Sequence, residues 1–166
     1  MRQDPIKILA YDPSWPDAFE QQRRRVEPAL LPWLTGPLEH IGSTAVPGLA
    51  AKPIIDMMAR IDSYDAAGID HTMAALGWVH APEPGDAESR KWSFCYPDAA
   101  RRTHHLHIYE DSADIWPRLL TFRDHLRTHP DAAAEYAELK RSLAAEDAHD
   151  RPRYRAGKAP FIDRLS

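Results

Sequence analysis

The chain contains 166 residues, of which 43% are hydrophobic, and its formal net charge is −4 at pH 7. This length and apolar content predict a single domain, residues 1–166, with one buried core, and the acidic balance gives no strong signal of nucleic-acid binding. The lone cysteine, Cys95, excludes an internal disulfide and a multi-cysteine zinc site, and no segment approaches the roughly 18 apolar residues of a membrane-spanning helix, so we expect a cytoplasmic protein.

The first two thirds of the chain alternate between strand and helix patterns. Alternating or continuous apolar residues predict strands at residues 6–10, 38–41, 53–61, 78–80, 90–96 and 103–109. A helix is predicted to begin after Ser14 and to break or kink at Pro28, and a second helix is predicted to end at Gly77. The last two strands form a hairpin. Residues 81–89, with two prolines, one glycine and three acids, form a loop of the length that often moves over a site.

The last third of the chain is helical. Apolar stripes predict three helices after Ser112, of which the second begins near Pro130 and the third carries Tyr154 and Lys158. We therefore expect an α+β fold in which helices cover one face of a mixed sheet. The other face of the sheet is left for chemistry.

A loop of small residues, 42–52, lies between two of the predicted strands. Gly42 and Ser43 open it with a tight turn, and a loop of this composition leaves backbone N–H groups reachable by a ligand. Lys52 adds a cation just before the second strand, although a solvated lysine is the common alternative. That strand carries Asp56 among isoleucines and methionines. An ionised carboxylate there costs free energy unless it meets a metal, a cation or hydrogen-bond donors.

A second polar cluster lies on the strand predicted at residues 103–109. Because residues two apart on a strand point to the same face, His105 and His107 share a face opposite to Leu106. If this strand neighbours the one that carries Asp56, the carboxylate and the two imidazoles converge. Together they can hold a divalent cation or an anionic substrate. The alternative is that the two histidines are simply the polar side of an amphipathic strand.

Five further side chains are candidates for orienting a substrate or binding phosphate: His40, Lys91, Arg123, Lys140 and Lys158. Each of them has an ordinary alternative. His40 can simply end its strand, Lys91 can protect a sheet edge, and Arg123 and Lys140 can be solvated positions on helices. Lys158 lies one helical turn after Tyr154, so these two side chains can reach one ligand together or merely pack on each other.

The residues from Glu39 to Asp56, Glu-His-Ile-Gly-Ser-Thr-Ala-Val-Pro-Gly-Leu-Ala-Ala-Lys-Pro-Ile-Ile-Asp, resemble the signature of the GrpB family, the uncharacterised UPF0157 proteins. The resemblance extends over nearly the whole chain, through residues 11–16, 105–107 and 122–127 and through Tyr136, Lys140, Tyr154 and Lys158. It implies the nucleotidyltransferase fold of the DNA polymerase β-like superfamily, in which a Gly-Ser turn holds nucleotide phosphates and acidic residues on following strands bind magnesium. It also implies that related domains occur fused to dephospho-coenzyme A kinase.

On this resemblance, Gly42 and Ser43 form the phosphate turn and Asp56 is the first acid of an Asp-x-Asp/Glu pair. Met58 stands in place of the second acid, and the region of His105 and His107 replaces the acid of the later strand. We therefore expect Asp56 and the two histidines to hold a divalent metal, magnesium or alternatively manganese or zinc. Substrate phosphates or another metal must compensate for the missing carboxylates, unless the fold has become a binding module.

Three functions fit these residues. The first is a nucleotidyltransferase-like enzyme that acts on a nucleotide or nucleotide-containing small molecule: Gly42, Ser43 and Lys52 hold phosphates, Asp56 holds a cation, and a histidine acts as base or ligand. The second is a non-catalytic module that binds a nucleotide or a coenzyme A-like ligand. The third is a metal-dependent hydrolase or oxygenase-like site built on the same acid and imidazoles. A small phosphate-containing molecule is the expected partner, a membrane is not, and the sequence indicates no oligomeric state.

Overall fold

A computed structural model describes residues 5–166, and its centre is a five-stranded mixed sheet. The strands are β1 (Glu39–Ile41), β2 (Ile55–Ile61), β3 (Val79–His80), β4 (Trp92–Tyr96) and β5 (His104–Glu110). Their spatial order is β1-β2-β5-β4-β3, in which β2 and β5 are parallel and all other neighbours are antiparallel. The parallel pair lies at the centre, where apolar strands are buried on both sides by their neighbours.

Five helices accompany the sheet. They are α1 (Trp15–Leu30), α2 (Ile69–Ala75), α3 (Ile115–Thr128), α4 (Pro130–Glu146) and α5 (Arg151–Leu165), and a 3₁₀ turn covers Ser43–Ala45. Helices and strands are interspersed up to β5, and three helices follow, so the predicted α+β arrangement is confirmed. Within residues 5–166, no helix has both the length and the apolar character needed to cross a bilayer.

One face of the sheet forms the main apolar core. Ile55 and Met57 of β2 and Leu106 of β5 point to this face, and each is at most 3% exposed. Helices α1 and α2 bury their apolar side chains against it. Because side chains alternate along a strand, this packing directs the intervening residues, Asp56 among them, to the opposite face.

The second face is covered only in part. Trp116 and Leu119 of α3 pack on Met58 and Tyr109 at one side of this face. Helices α4 and α5 join α3 and residues 46–50 through a cluster of aromatic and aliphatic side chains. The C-terminal helices thus form a wall beside the uncovered part of the sheet.

Two local predictions are wrong. Residues 6–10 do not form a strand, because only an isolated bridge forms there, in which Leu9 and Ala51 exchange backbone hydrogen bonds. The predicted break at Pro28 is also absent. Helix α1 continues through Pro28 to Leu30, because a proline in the last turn removes only one hydrogen bond near the end of the helix.

Candidate functional site

A carboxylate and two imidazoles meet on the uncovered part of the sheet. Strands β2 and β5 are parallel neighbours, and their register pairs Asp56 with His105 and Met58 with His107. Nδ1 of His105 lies 3.6 Å and Nε2 of His107 lies 3.4 Å from Oδ1 of Asp56. All three side chains are half-buried, and their potential ligand atoms lie within 4.8 Å of one another. The convergence predicted from strand alternation is therefore present.

The Asp56 carboxyl is held in its ionised form. Burial raises its pKa, but the facing imidazoles of His105 and His107 outweigh this effect and hold the pKa well below its usual range. The Asp56 side chain is 35% exposed. A ligand can therefore reach this negative charge from the open side of the sheet.

The turn at Gly42 and Ser43 lies directly beside this carboxylate. Gly42 has a φ of +74°, which favours glycine, and a Cβ at this position would lie 2.9 Å from Oδ2 of Asp56. The following 3₁₀ turn is closed by the amide of Ala45, which donates to the Gly42 carbonyl. The Ser43 hydroxyl accepts a hydrogen bond of 2.8 Å from Nζ of Lys140, so a cation of α4 is joined to the turn.

These groups line one cavity of about 380 Å³ between the sheet and the C-terminal helices. Its acidic side chains are Asp56 and Glu83. Its cationic side chains are Lys52, Lys140, Arg151, Arg155 and Lys158. Within residues 5–166, five cationic residues and two acids therefore line this cavity, in a protein whose formal net charge is −4. A concave surface with an excess of cations attracts anions.

Burial lowers the pKa values of two of these amines. Burial, together with the charges of Lys158 and Lys52, lowers the pKa of Lys140 to about 7. Burial and Lys52 likewise lower the pKa of Lys158 to about 8. Lys140 is 2% exposed and also donates to the Ala50 carbonyl. An anionic ligand would favour the protonated form of both amines, so ligand and protons would bind together.

Tyr154 of α5 forms part of the wall that faces the sheet. The ammonium groups of Lys52 and Lys158 lie over its ring, 5.2 and 4.5 Å from the centroid. The Tyr154 hydroxyl is buried and has no hydrogen-bond partner within residues 5–166. Because an unpaired buried hydroxyl costs free energy, a polar ligand atom in the cavity would be stabilised here.

The model of the GrpB protein family matches residues 5–166 of the chain. The chain belongs to the GrpB family. It is 39% identical to UPF0157 protein PA4798 of Pseudomonas aeruginosa, over 98% of this chain and 66% of that protein. It is 37% identical to UPF0157 protein YqkA of Bacillus subtilis, over 95% of this chain and 45% of that protein. The chain thus spans about half to two thirds of the length of these GrpB-family relatives.

Solved structures relate the GrpB fold to a known architecture. GrpB from Enterococcus faecalis superposes with a TM-score of 0.83 at 31% identity, over 96% of this chain and 94% of that one. A cytoplasmic RNA terminal U-transferase superposes with a TM-score of 0.50 at 14% identity, over 80% of this chain and 41% of that one. The second likeness concerns the fold alone, and it confirms the nucleotidyltransferase architecture that the motif implies.

A dephospho-CoA kinase of Mycolicibacterium paratuberculosis is 28% identical to this GrpB-family chain, over 95% of the chain and 44% of that protein. The matched region is therefore less than half of the kinase.

The cavity contains one acid that the sequence analysis does not identify. Glu83, from the loop at residues 81–89, lines the cavity together with Asp56. Lys91 pairs with Glu83 at 3.4 Å and with Asp86 at 3.1 Å, and the Glu83 amide donates to Asp86 at 2.8 Å. The sequence signal that could have identified Glu83 is its position between two prolines in a loop near the open face.

Five of the residues predicted to bind phosphate line the cavity: Gly42, Ser43, Lys52, Lys140 and Lys158. His40 does not line it. Its neighbour on β1, Ile41, is paired with Asp56, so His40 points to the main core, where it stacks on Phe19 at 4.8 Å and contacts Thr44. Burial lowers the pKa of His40 to about 4, so this neutral side chain has a packing role.

Lys91 and Arg123 also lie outside the set of cavity-lining residues. Lys91 is engaged by Glu83 and Asp86 as described above. Arg123 of α3 donates to the Glu39 carboxylate at 2.8 Å and to the His40 carbonyl at 3.1 Å. Both cations thus have carboxylate partners within the fold, and their placement does not support the predicted phosphate contacts.

The donor set of Asp56, His105 and His107 fits a transition metal better than magnesium. A tetrahedral ion with bonds of about 2.0–2.1 Å requires ligand atoms about 3.3 Å apart, and the imidazole nitrogens lie 3.4 and 3.6 Å from Oδ1 of Asp56. Imidazole suits zinc or iron, whereas magnesium prefers oxygen ligands. Nδ1 of His107 is buried without a hydrogen-bond partner in residues 5–166, so this ring lacks the acceptor that usually orients a metal-bound histidine.

Proposed function

We propose that the cavity binds the phosphate groups of a nucleotide or a nucleotide-containing small molecule, together with one divalent metal ion. The proposal depends on one observation: five cationic side chains and the Gly42–Ser43 turn meet the Asp56 carboxylate in a single cavity. Phosphates are bound in proteins by cationic side chains and by backbone N–H groups at such turns.

The basic residues act at two points of the cavity. At the turn, Gly42 and Ser43 line the cavity, and Lys140 lies beside them through its hydrogen bond to the Ser43 hydroxyl. At the wall of α5, Lys52 and Lys158 present their ammonium groups over Tyr154. A ligand with two or more phosphate groups would contact both points.

Asp56, His105 and His107 would hold the metal ion. When bound, such an ion offsets phosphate charge and polarises a phosphoryl oxygen. Glu83 lies in the same cavity with a side chain that is 25% exposed. In a transfer reaction, this carboxylate would accept the proton of the attacking hydroxyl group.

The fold and one group of relatives support a nucleotide as the ligand. The chain shares its fold with an RNA terminal U-transferase, and it is similar to part of a dephospho-CoA kinase. The more specific form of the proposal is that the protein transfers a nucleotidyl group. This form requires that the residues of the cavity catalyse the transfer as well as bind the nucleotide.

A specific observation favours binding without catalysis as a second function. Met58 occupies the position of the second acid, and it is fully buried against Ile41 and Tyr109. Two closely spaced metal ions need several anionic oxygens to offset their charge. Asp56 and Glu83 are the carboxylates that line the cavity in the described part of the chain. A module that binds a nucleotide or coenzyme A needs the cations and the turn, but no second metal.

Calorimetric titration with ATP and with coenzyme A, each with and without Zn²⁺, Mn²⁺ or Mg²⁺, tests the proposal. Lys158→Met should weaken binding about tenfold, because it removes one charged contact to phosphate. Arg164→Met is the matched control, since Arg164 lies on the same helix and pairs with Glu135 outside the cavity. Absence of binding by both ligands would contradict the proposal.

An assay of pyrophosphate release then separates the two functions. Metal-dependent release from a nucleoside triphosphate supports nucleotidyl transfer. Tight binding that needs no metal and gives no release supports the binding module. Asp56→Asn should abolish release in the first case, and in the second it should leave ligand affinity within a factor of a few.

A further inference from the structure

A hydroxyl group and a buried amine form a hydrogen-bonded pair in the cavity. Nζ of Lys140 lies 2.8 Å from Oγ of Ser43, and both residues line the cavity. Ser43 is partly exposed, whereas Lys140 is 2% exposed. A reachable hydroxyl group with a base within hydrogen-bond distance is the arrangement that nucleophilic catalysis by serine requires.

The amine of Lys140 is held in place by two further contacts. It donates a hydrogen bond of 2.5 Å to the Ala50 carbonyl, and it lies 4.8 Å from the centroid of the Tyr136 ring. A neutral amine can keep the hydrogen bond to Ala50 while its lone pair accepts the proton of the Ser43 hydroxyl. A third group that orients the base is the usual companion of such a pair.

The surroundings of Lys140 favour its neutral form. Burial, followed by the positive charges of Lys158, Lys52 and Arg141, lowers its pKa to about 7. Burial is also the way in which lysines become general bases in proteins. A solvated lysine, in contrast, would stay protonated and could only donate to Ser43.

Met58 gives a reason for a base at this position. In transfer with two metal ions, the ions stabilise both the attacking and the leaving oxygen. Met58 is buried against Ile41 and Tyr109 at the position of the second acid, so the ligands for the second ion are incomplete. An amine that takes the proton of the attacking hydroxyl group can replace the activation that this ion would supply.

We infer that Ser43 is a covalent nucleophile that attacks the α-phosphorus of a nucleoside triphosphate, with Lys140 as its base. The inference rests on the proposed function for its ligand and adds a covalent step. The bond from Oγ to phosphorus forms while the bond to the bridging oxygen breaks. Pyrophosphate leaves with the electron pair of that bond, and the hydroxyl proton passes to Nζ of Lys140.

A second step restores the free serine. The hydroxyl group of an acceptor, or water, attacks the same phosphorus and gives its proton to Glu83, which releases it to the solvent. Oγ of Ser43 leaves with the proton that Lys140 returns. The nucleotidyl group is thereby transferred to the acceptor.

An uncharged alkyl fluorophosphonate tests the serine independently of any nucleotide, because an activated serine displaces its fluoride. We expect labelling of the wild-type protein at Ser43 and none of Ser43→Ala at this position. Lys140→Met should be labelled about a hundredfold more slowly. Lys7→Met is the control, since Lys7 is exposed and does not line this cavity, and it should react at the wild-type rate.

The pH dependence of labelling distinguishes a base from a lysine that only positions the serine. The wild-type rate should rise with pH through the pKa of Lys140, about 7, because only the neutral amine accepts the proton. Lys140→Arg keeps a cation beside the turn, but a guanidinium group stays protonated. It should therefore react as slowly as Lys140→Met, and labelling at the wild-type rate would overturn the inference.

Mass spectrometry after acid quenching tests the covalent step with ATP and a divalent metal. We expect one adenylyl group on Ser43, absent from Ser43→Ala. If ATP binds but pyrophosphate release persists in Ser43→Ala, the inference is overturned and the proposed function stands. If neither ATP nor coenzyme A binds, the proposed function fails and the step at the triphosphate fails with it. Labelling by the fluorophosphonate then decides alone whether Ser43 is a nucleophile.

Discussion

At Gly42, the positive φ of the backbone and the close approach of the Asp56 carboxylate both require a residue without a side chain. Gly42 and Gly48 both have positive φ, +74° and +79°, but a Cβ at Gly42 would lie 2.9 Å from Asp56, whereas nothing lies within 4 Å at Gly48. Gly48→Ala should therefore cost about 1 kcal/mol of backbone strain. Gly42→Ala should cost about 1–2 kcal/mol more and weaken zinc binding at least tenfold, because it displaces the Asp56 carboxylate.

Urea denaturation and calorimetric zinc titration measure these two effects in Gly42→Ala and Gly48→Ala. Equal losses of stability and of zinc affinity in the two variants would show that the approach of Gly42 to Asp56 has no consequence.

If the cavity binds an anion as proposed, Lys140 and Lys158 should make its affinity depend on pH. Their pKa values are lowered from 10.5 to about 7 and about 8, and an anion favours the protonated amines. Affinity for sulfate, whose charge is constant in this range, should therefore be greatest below pH 7 and fall as the pH rises through both values. The contribution of these lysines to the free energy of unfolding has the opposite sign. It rises with pH above about 7, because the unfolded chain keeps protons that the folded chain has lost.

Calorimetric sulfate titration from about pH 6 to about pH 9 checks this dependence. In Lys140→Met, the part of the decline centred near the pKa of Lys140 should disappear. An unchanged pH profile in the variant would mean that Lys140 takes no part in anion binding.

Among the elements, the two central strands could be predicted most completely. The sequence predicts strands at 53–61 and 103–109, and the structure has Ile55–Ile61 and His104–Glu110. One buried face determines the direction of every side chain on a strand. Once Leu106 is assigned to the core, His105 and His107 must therefore face the cavity. The direction of the His40 side chain could not be predicted in this way, because β1 has only three residues, too few to show an alternation.

The loop at residues 81–89 is held in place by one largely buried cation. The side chains of Lys91 and Asp86 are 12% and 9% exposed, and Lys91 also pairs with Glu83. Lys91→Met would leave the Asp86 carboxylate without its cation, although the hydrogen bond from the Glu83 amide remains. We expect a loss of about 1–3 kcal/mol of stability and faster amide hydrogen exchange in this loop.

Arg153→Met is the control for Lys91→Met, because it removes an exposed ion pair with Glu146 that contributes about 0–1 kcal/mol. Hydrogen exchange followed by mass spectrometry compares the two variants. If the loop exchanges equally slowly in both, Lys91 does not hold Glu83 at the cavity.

For the molecule as a whole, the placement of α5 was the feature that the sequence could not supply. Periodicity identifies the apolar side of a helix but not the element against which it packs. Phe161 and Tyr136 join α5 to α4, and this packing brings Arg151 and Arg155 to the cavity. Neither arginine was a candidate in the sequence, whereas Lys158 was recognised from its spacing to Tyr154.

The distribution of charge in the whole molecule also differs from what its composition suggests. The formal net charge is −4, yet in the described part of the chain the cavity beside Asp56 is lined by five cationic residues and by two acids. Composition gives only the sum of charges, whereas a cavity concentrates the charges of residues that lie far apart in the chain. The excess of cations in the cavity, from which we infer an anionic ligand, is therefore visible only when the positions of the helices are known.

A crystal structure with Zn²⁺ and a non-hydrolysable ATP analogue, with anomalous data at the zinc edge, tests the proposed site most directly. We predict an anomalous peak about 2.0–2.2 Å from an Asp56 oxygen and from one nitrogen each of His105 and His107. The phosphate groups should lie between the Gly42 turn and the lysines of the cavity. Phosphates bound outside this cavity, or zinc bound without Asp56, would contradict the proposed site.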